Sequence, residues 1–405
     1  MKSIIFFIIL SAILTGCQSK SSQTGDLPII DLSKKYPQKE MHLQSIATLE
    51  YLPLETNKDV LLDRDARVFY FSDKYILVLN RRLAEVFVFD RNGKNLKTIR
   101  IPKGNGPMEL IQIEHILFDD KTEEIYLFDL YNKVLVYSLT GEHIRNISGI
   151  PGFSSYSCFL NFDEETFFCY QEYFQRGDNQ PPGNPYYFIS KKDGSIDSYL
   201  NINFTVRHPL GIMENEQTND FGYKFFRDIW IFDFPVNRHY GQDFVIADIS
   251  SDTIYRLSKN RELIPLLVRS PSVVNSSEPR TAWRSELATE KFIILRTKVM
   301  DFEKLKNDMQ VPPVFFLMYE FETGQICEIV SFVIDDFPSF VWELREYKTF
   351  FNIVDVSQKN VAIKLLDVTT LKDAQEEKKL NGELNKLVET LGEEDNPVIM
   401  IVNFK

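Results

Sequence analysis

The side chains best suited to chemistry are thinly spread in this sequence. Its five histidines, His42, His115, His143, His208 and His239, stand far apart, and none has a second ligand at metal-binding spacing. Three cysteines follow Cys17, namely Cys158, Cys169 and Cys327, and no two of them sit at zinc spacing. No HExxH, Gly-x-Ser-x-Gly or Walker sequence occurs. The stretch Gly104-Asn105-Gly106-Pro107 is glycine-rich, but no Lys-Ser or Lys-Thr follows it, so it reads as a tight loop rather than a phosphate cradle. Paired acids such as Asp119-Asp120, Glu123-Glu124 and Asp335-Asp336 read as solvated turns. The sequence therefore implies no metal, no cofactor and no catalytic residue. Cys158 and Cys169 flank the turn NFDEET, where a cross-strand disulfide is one expectation and two packed thiols the other.

What must position any binding group is a repeated β unit. EVFVFDRNGKNLKTI (85–99) is an alternating apolar run, a tight turn and a second run, and KVLVYSLTGEHIRNI (133–147) repeats it. Each unit has four strands. The first covers 66–101, the second starts near 111 and ends near 148, and the third covers 156–202. A fourth and a fifth cover about 223–268 and 281–333. The last turn of a unit is built on Gly93, Gly141, Gly194 or Gly324, because glycine adopts positive φ without steric cost. The fourth unit has Asn260-Arg261 there, with Asn260 the expected left-handed residue.

Four-stranded units at a spacing of about 40–50 residues predict propeller blades, since radial packing buries the faces that a lone sheet leaves open. Two strands in 350–367, a helix over about 371–391 and a strand at 396–404 leave the final blade one strand short. Leu384, Leu387, Val388 and Leu391 make the apolar stripe of that helix. The run at 46–55 supplies the missing strand and zips the ring. The predicted fold is all-β: a six-bladed propeller of four-stranded blades over 28–405, closed by its two terminal strands. Two separate sandwiches are the alternative architecture.

The composition suits this. Apolar residues make up 44% and charged residues 26%, a globular balance. Phe at 33 and Tyr at 18 favour strands. A net charge of −12 argues against nucleic acid as a partner.

The chain opens MKSIIFFIILSAILTGC. Lys2 and the apolar run Ile4–Leu14 form a signal peptide over 1–16, too short to span a bilayer. Leu14-Thr15-Gly16-Cys17 resembles the bacterial lipobox, which implies acylation of Cys17 and anchoring to a membrane. Residues 17–27 read as a flexible tether. Gln18 and Ser19 lack the Asp of inner-membrane retention, so the expected place is the outer membrane, facing periplasm or cell surface.

LEYLPLET (49–56), KGNGPMELIQI (103–113), EEIYLFD (123–129) and the ending EEDNPVIMIVNFK resemble a family of bacterial lipoproteins described as six-bladed β-propellers. Met108 stands where the family loop usually has a third glycine. The resemblance implies fold and location, and no activity.

The long excursions, 174–185, 203–222, 269–283, 298–313 and 371–391, all fall at second-hairpin or inter-blade positions, hence on one rim at the channel mouth. Arg and aromatic side chains there are the candidate binding face: Arg81, Arg82, Tyr131, Lys133, Tyr173, Arg176, Arg207, His208, Arg280, Trp283 and Trp342. The expected role is a binding or scaffold module for a glycan, peptide or protein. A hydrolase or lyase working at the channel mouth is the alternative.

Overall fold

Continuous apolar strands such as EIYLFD have no wet face, so each must be covered on both sides. The computed structural model shows how. It describes residues 27–405 except 152–156, 176–182, 214–216, 219–223, 226–227, 231–235, 241–242, 278, 305–313, 344–354 and 357. Six sheets stand around a ring, as expected. Blade 1 is Arg67–Phe71, Tyr75–Asn80, Glu85–Asp90 and Asn95–Arg100. Blade 2 runs from Ile113–Asp119 to His143–Ser148, and blade 3 from Ser157–Asn161 to Ile196–Tyr199. Blade 4 runs from Val236–Tyr240 to Leu263–Ser270, and blade 5 from Thr281–Ala288 to Ile326–Ile334.

Alternation along a strand sorts side chains between two neighbours. In the second strand of blade 2, Ile125 and Leu127 pack against blade 1, while Tyr126 and Phe128 pack against blade 3. Every inter-blade seam has its own apolar core. Tyr170, Tyr186 and Phe188 meet Phe244 and Ile246 between blades 3 and 4. Trp283, Ile293 and Leu295 meet Val245 and Leu267 between blades 4 and 5. Ile399 and Ile401 meet Val68 and Phe89 at the seam of blades 6 and 1.

Blade 6 is closed as its missing strand requires. Ala47–Pro53 pairs antiparallel with Val398–Phe404, from Ala47 opposite Phe404 to Pro53 opposite Val398. Val361–Leu366 lies on the other side of Val398–Phe404. The turn of blade 1 keys into the closing strand: Glu55 N donates to Gly93 O at 2.8 Å, and a Cβ on Gly93 (φ +79°) would lie 2.2 Å from the Pro53 carbonyl oxygen.

Upstream of the closing strand the chain forms a strap. Ile29–Asp31 adds a parallel strand to the outer edge of blade 4, and Gln38–His42 adds one to blade 5. Ile30 and Met41 are buried there. Three consecutive blades thus share one N-terminal segment, which covers edges that would otherwise invite pairing with another chain.

Three local expectations change. Of the two strands expected for blade 6 in 350–367, Val361–Leu366 joins it, whereas Asp355–Val356 pairs in parallel with Arg67–Phe71 of blade 1. The predicted helix is two helices, Val368–Glu376 and Gly382–Thr390; Leu384 and Val388 of the stripe are buried, with Leu387 and Leu391 packed against the same core. In the blade 4 turn it is Arg261, not Asn260, that takes positive φ, at +63°. Its guanidinium stacks 4.2 Å from the Phe188 ring centre and bonds Asp197 at 2.5 Å, contacts across the blade 3 seam that offset the backbone cost.

The possible disulfide is absent. Cys158 stands opposite Tyr170, and Phe159 opposite Cys169, so the two thiols point to opposite faces, and none of the three described cysteines is in a disulfide. Asp163 sets this register by accepting from Glu165 N and Thr166 N in the turn. Burial pushes the Cys169 thiol pKa up, which leaves it inert. A denatured chain of residues 27–405 will titrate as three thiols with Ellman's reagent, with or without prior reduction; a count of one without reduction would contradict this register.

Candidate functional site

Second-hairpin loops and inter-blade connections emerge on one rim, and two of the long ones are joined there. Phe174–Gln175, from the second hairpin of blade 3, pairs in parallel with Gly211–Met213 of the connection to blade 4, which pairs in turn with Asp228–Trp230. The helical excursion of blade 6 is committed to packing instead: Val368, Leu371, Ala374 and Val388 join the core between blades 5 and 6.

On this rim a cleft of about 540 Å³ opens between blades 1 and 2. Arg67, Arg81, Arg82 and Lys103 line it, with Asp65 the one carboxylate among its lining side chains. They arrive from three places. Arg67 opens the inner strand of blade 1, Arg81 and Arg82 form its second-hairpin turn, and Lys103 belongs to the connection into blade 2. Arg81 is held by its Nε donating to Ile113 O at 2.7 Å, with Glu114 3.6 Å from its other end. Lys103 Nζ donates to Arg82 O. Neither Arg67 nor Arg82 forms an ion pair with a carboxylate among the described residues, although the charge of Asp65 acts on Arg67. Desolvation first, and then the charge of Arg81, hold the Arg67 guanidinium pKa below its ordinary value.

The glycine-rich connection beside the cleft is built for rigidity. Glu109 folds its carboxylate back to accept from Gly106 N at 2.9 Å, and a Cβ on Gly104 would lie 2.1 Å from that carboxylate. Lys133 Nζ donates to Gly106 O at 3.0 Å and Glu109 O at 2.5 Å; Asn146 Nδ2 donates to Pro107 O at 2.6 Å. Met108, in place of the family's glycine, is simply exposed. The carbonyls of Gly106, Pro107, Met108 and Glu109 all accept from blade 2 side chains, consistent with a structural connection.

The other candidates divide. Tyr131 stands 68% exposed at the rim of blade 2. Lys133 anchors the connection just described rather than reaching for a ligand. Tyr173 is buried, and its carbonyl accepts from Leu210 N. Arg207 stacks 4.9 Å from the Phe204 ring centre, and His208 N donates to Ser250 Oγ at 2.8 Å. Arg280 is buried near Arg269, whose pKa burial pulls down to about 10 against the pull of Asp252, with Arg280 adding to the fall. Trp283 is not on the rim. Its strand begins at Thr281, and the ring is wholly buried against blade 4. Arg176 lies outside the described residues, as do Cys17 and the tether up to residue 26, and the side chain of Trp342. Arg67 and Lys103 were missed. Arg67 could have been found by asking which residue starts an inner strand at the elaborated rim.

Among the described residues no three His, Cys, Asp or Glu side chains gather as a metal ion would need. No helix of the described residues is long and apolar enough to cross a membrane.

A family model described as a domain of unknown function, DUF4934, matches residues 27–403. No curated protein matches the chain. Among solved structures, a presumed exported protein of Bacteroides fragilis NCTC 9343 is similar at 18% identity and a TM-score of 0.60, covering 93% of this chain and 99% of that one. A member of the DUF4221 family from Bacteroides vulgatus ATCC 8482 aligns at 10% identity and a TM-score of 0.42, covering 89% and 97%. The first of these supports the fold.

Proposed function

We propose that this chain, which belongs to the DUF4934 family, is an exported, lipid-anchored propeller of the cell envelope that binds a ligand or partner through its elaborated rim. The leader and the lipobox-like Cys17 support export and anchoring. So does the presumed export of the similar Bacteroides fragilis protein. The residues after Cys17 favour the outer membrane.

The cleft between blades 1 and 2 carries the binding reading. Like charges converge there on the rim that also bears the excursions, and Arg67 and Arg82 make no side-chain hydrogen bond or ion pair with the described residues. A glycan, a peptide or a protein surface are the candidate ligands, and catalysis is not required.

A thermal-shift screen of the domain from residue 27 against glycans, peptides and divalent metals tests this. A ligand of the folded state present at 100 times its Kd stabilises by about 2.7 kcal/mol, a readily visible shift. Melting temperatures unmoved by every glycan and peptide would count against the rim as a binding face.

A further inference from the structure

Resting on the reading of this rim as a binding face, we propose that the cleft between blades 1 and 2 holds a short ligand carrying at least two oxyanionic groups, such as carboxylates, sulfates or phosphates. The chain as a whole carries a charge of −12, yet four cations face one carboxylate here. Bringing like charges together is costly unless something compensates them. Glu114 partly compensates Arg81. Asp65 acts on Arg67 through its charge without a salt bridge, Arg82 forms no ion pair with a carboxylate among the described residues, and both side chains are exposed to an incoming ligand. A guanidinium presents a planar fork that matches an oxyanion through two parallel hydrogen bonds. Two forks therefore ask for two anionic groups.

The volume of about 540 Å³ lies within the usual range for a small-ligand site. Ile111 in the wall and Leu83, between the lining residues Arg82 and Ala84, are exposed and offer apolar contact to the body of the ligand. Arg81 is fastened to Ile113 O and Lys103 to Arg82 O, so the cationic wall is set before the ligand arrives.

Calorimetric titration of the domain from residue 27, at about 50 mM salt where exposed charges are weakly screened, tests the assignment. The free probes are citrate and pyrophosphate. The sugar-borne probes are trigalacturonate and a sulfated heparin tetrasaccharide, and maltotriose is the neutral control. At least one anionic probe will bind and weaken with salt, while maltotriose gives no heat. Binding by the sugar-borne probes alone assigns the anions to a glycan, and binding by the free ones alone to a small metabolite. The double substitution Arg67→Gln/Arg82→Gln will weaken that probe at least tenfold. So will Ile111→Glu, which places a carboxylate in the wall without touching either arginine. All three positions are exposed, and an unchanged melting temperature will show that the fold is intact. Absence of heat with every anionic probe overturns the assignment, as does full affinity in both variants. If a neutral glycan or a peptide stabilises the domain while the anions do not bind, the cleft assignment falls and the rim reading stands. If nothing binds, both fall.

Discussion

A chain that begins at Leu54 will fail to form a cooperatively melting domain, whereas one that begins at residue 27 will melt as a single unit. The closing strand removed by this truncation has seven residues, all paired with Val398–Phe404. Without it, Val398–Phe404 presents an open edge, and the Gly93 turn loses its contact with Pro53. Leu43, Ala47 and Leu52 leave the seams around blade 6 at the same time, as do Ile30 and Met41 of the strap. Burying one large aliphatic side chain is worth about 1.5–3 kcal/mol, and a whole domain is stable by only about 5–15 kcal/mol. For Ile30, Met41, Leu43 and Leu52 together the loss is about 6–12 kcal/mol, before the lost strand pairing is counted, so it is as large as the domain's whole reserve. Starting instead at Leu43 keeps the closing strand and removes only the strap strands. Blades 4 and 5 then lose Ile30 and Met41, for a penalty of roughly 3–6 kcal/mol on the same scale. Circular-dichroism melts and size-exclusion profiles of the three chains will rank them in that order. Equal melting of the Leu54 chain and the residue-27 chain would show that the ring does not depend on its terminal strand.

The second large effect lies at the opposite rim, where blade 2 meets blade 3. Lys191 Nζ is 2.5 Å from Asp119 Oδ2 and also donates to the Asp163 carbonyl oxygen, and both charged side chains are almost fully buried. Asp119 ends an inner strand of blade 2 and Lys191 begins the last turn of blade 3, so the pair pins two blades together. Burial pulls the Lys191 pKa below its ordinary value and Asp119 opposes that fall, which marks desolvation as the larger influence. Such a pair adds little net stability, but half of it is harmful. Lys191→Met or Asp119→Leu alone will destabilise by about 3–5 kcal/mol, because each strands one buried charge. The double variant Asp119→Leu/Lys191→Met will recover most of that loss. Denaturant unfolding of the four proteins measures it as a double-mutant cycle. Single variants within about 1 kcal/mol of the parent would mean that water reaches the site.

The blades and their turns were legible because they rest on local rules. Apolar runs of six residues, a glycine at the last turn and one unit short of a strand were enough to place the ring and its closure. The strap was not legible. Ile29–Asp31 and Gln38–His42 are short and partly charged, and they attach through backbone pairing along blade edges, which leaves little pattern in side chains. The Cys158 and Cys169 pairing failed by one residue, because Asp163 decides where the hairpin closes. Trp283 falls inside the loop-like flank 269–283 by sequence, but the inner strand of blade 5 already begins at Thr281 and carries it into the seam.

The candidate site was half legible. Arg81 and Arg82 stand in a turn whose rim could be deduced from strand order alone. That Arg67 and Lys103 share their cleft depends on the angle between blades 1 and 2, which ring closure and the anchored Gly104–Glu109 connection set. On its own, then, the order of amino acids determined the repeating sheet and which ends of its strands carry long loops, since burial on two faces and positive φ are properties of a few neighbouring residues. Which cations face one another was decided only by tertiary structure, because charge convergence is a relation between distant segments that no local pattern records.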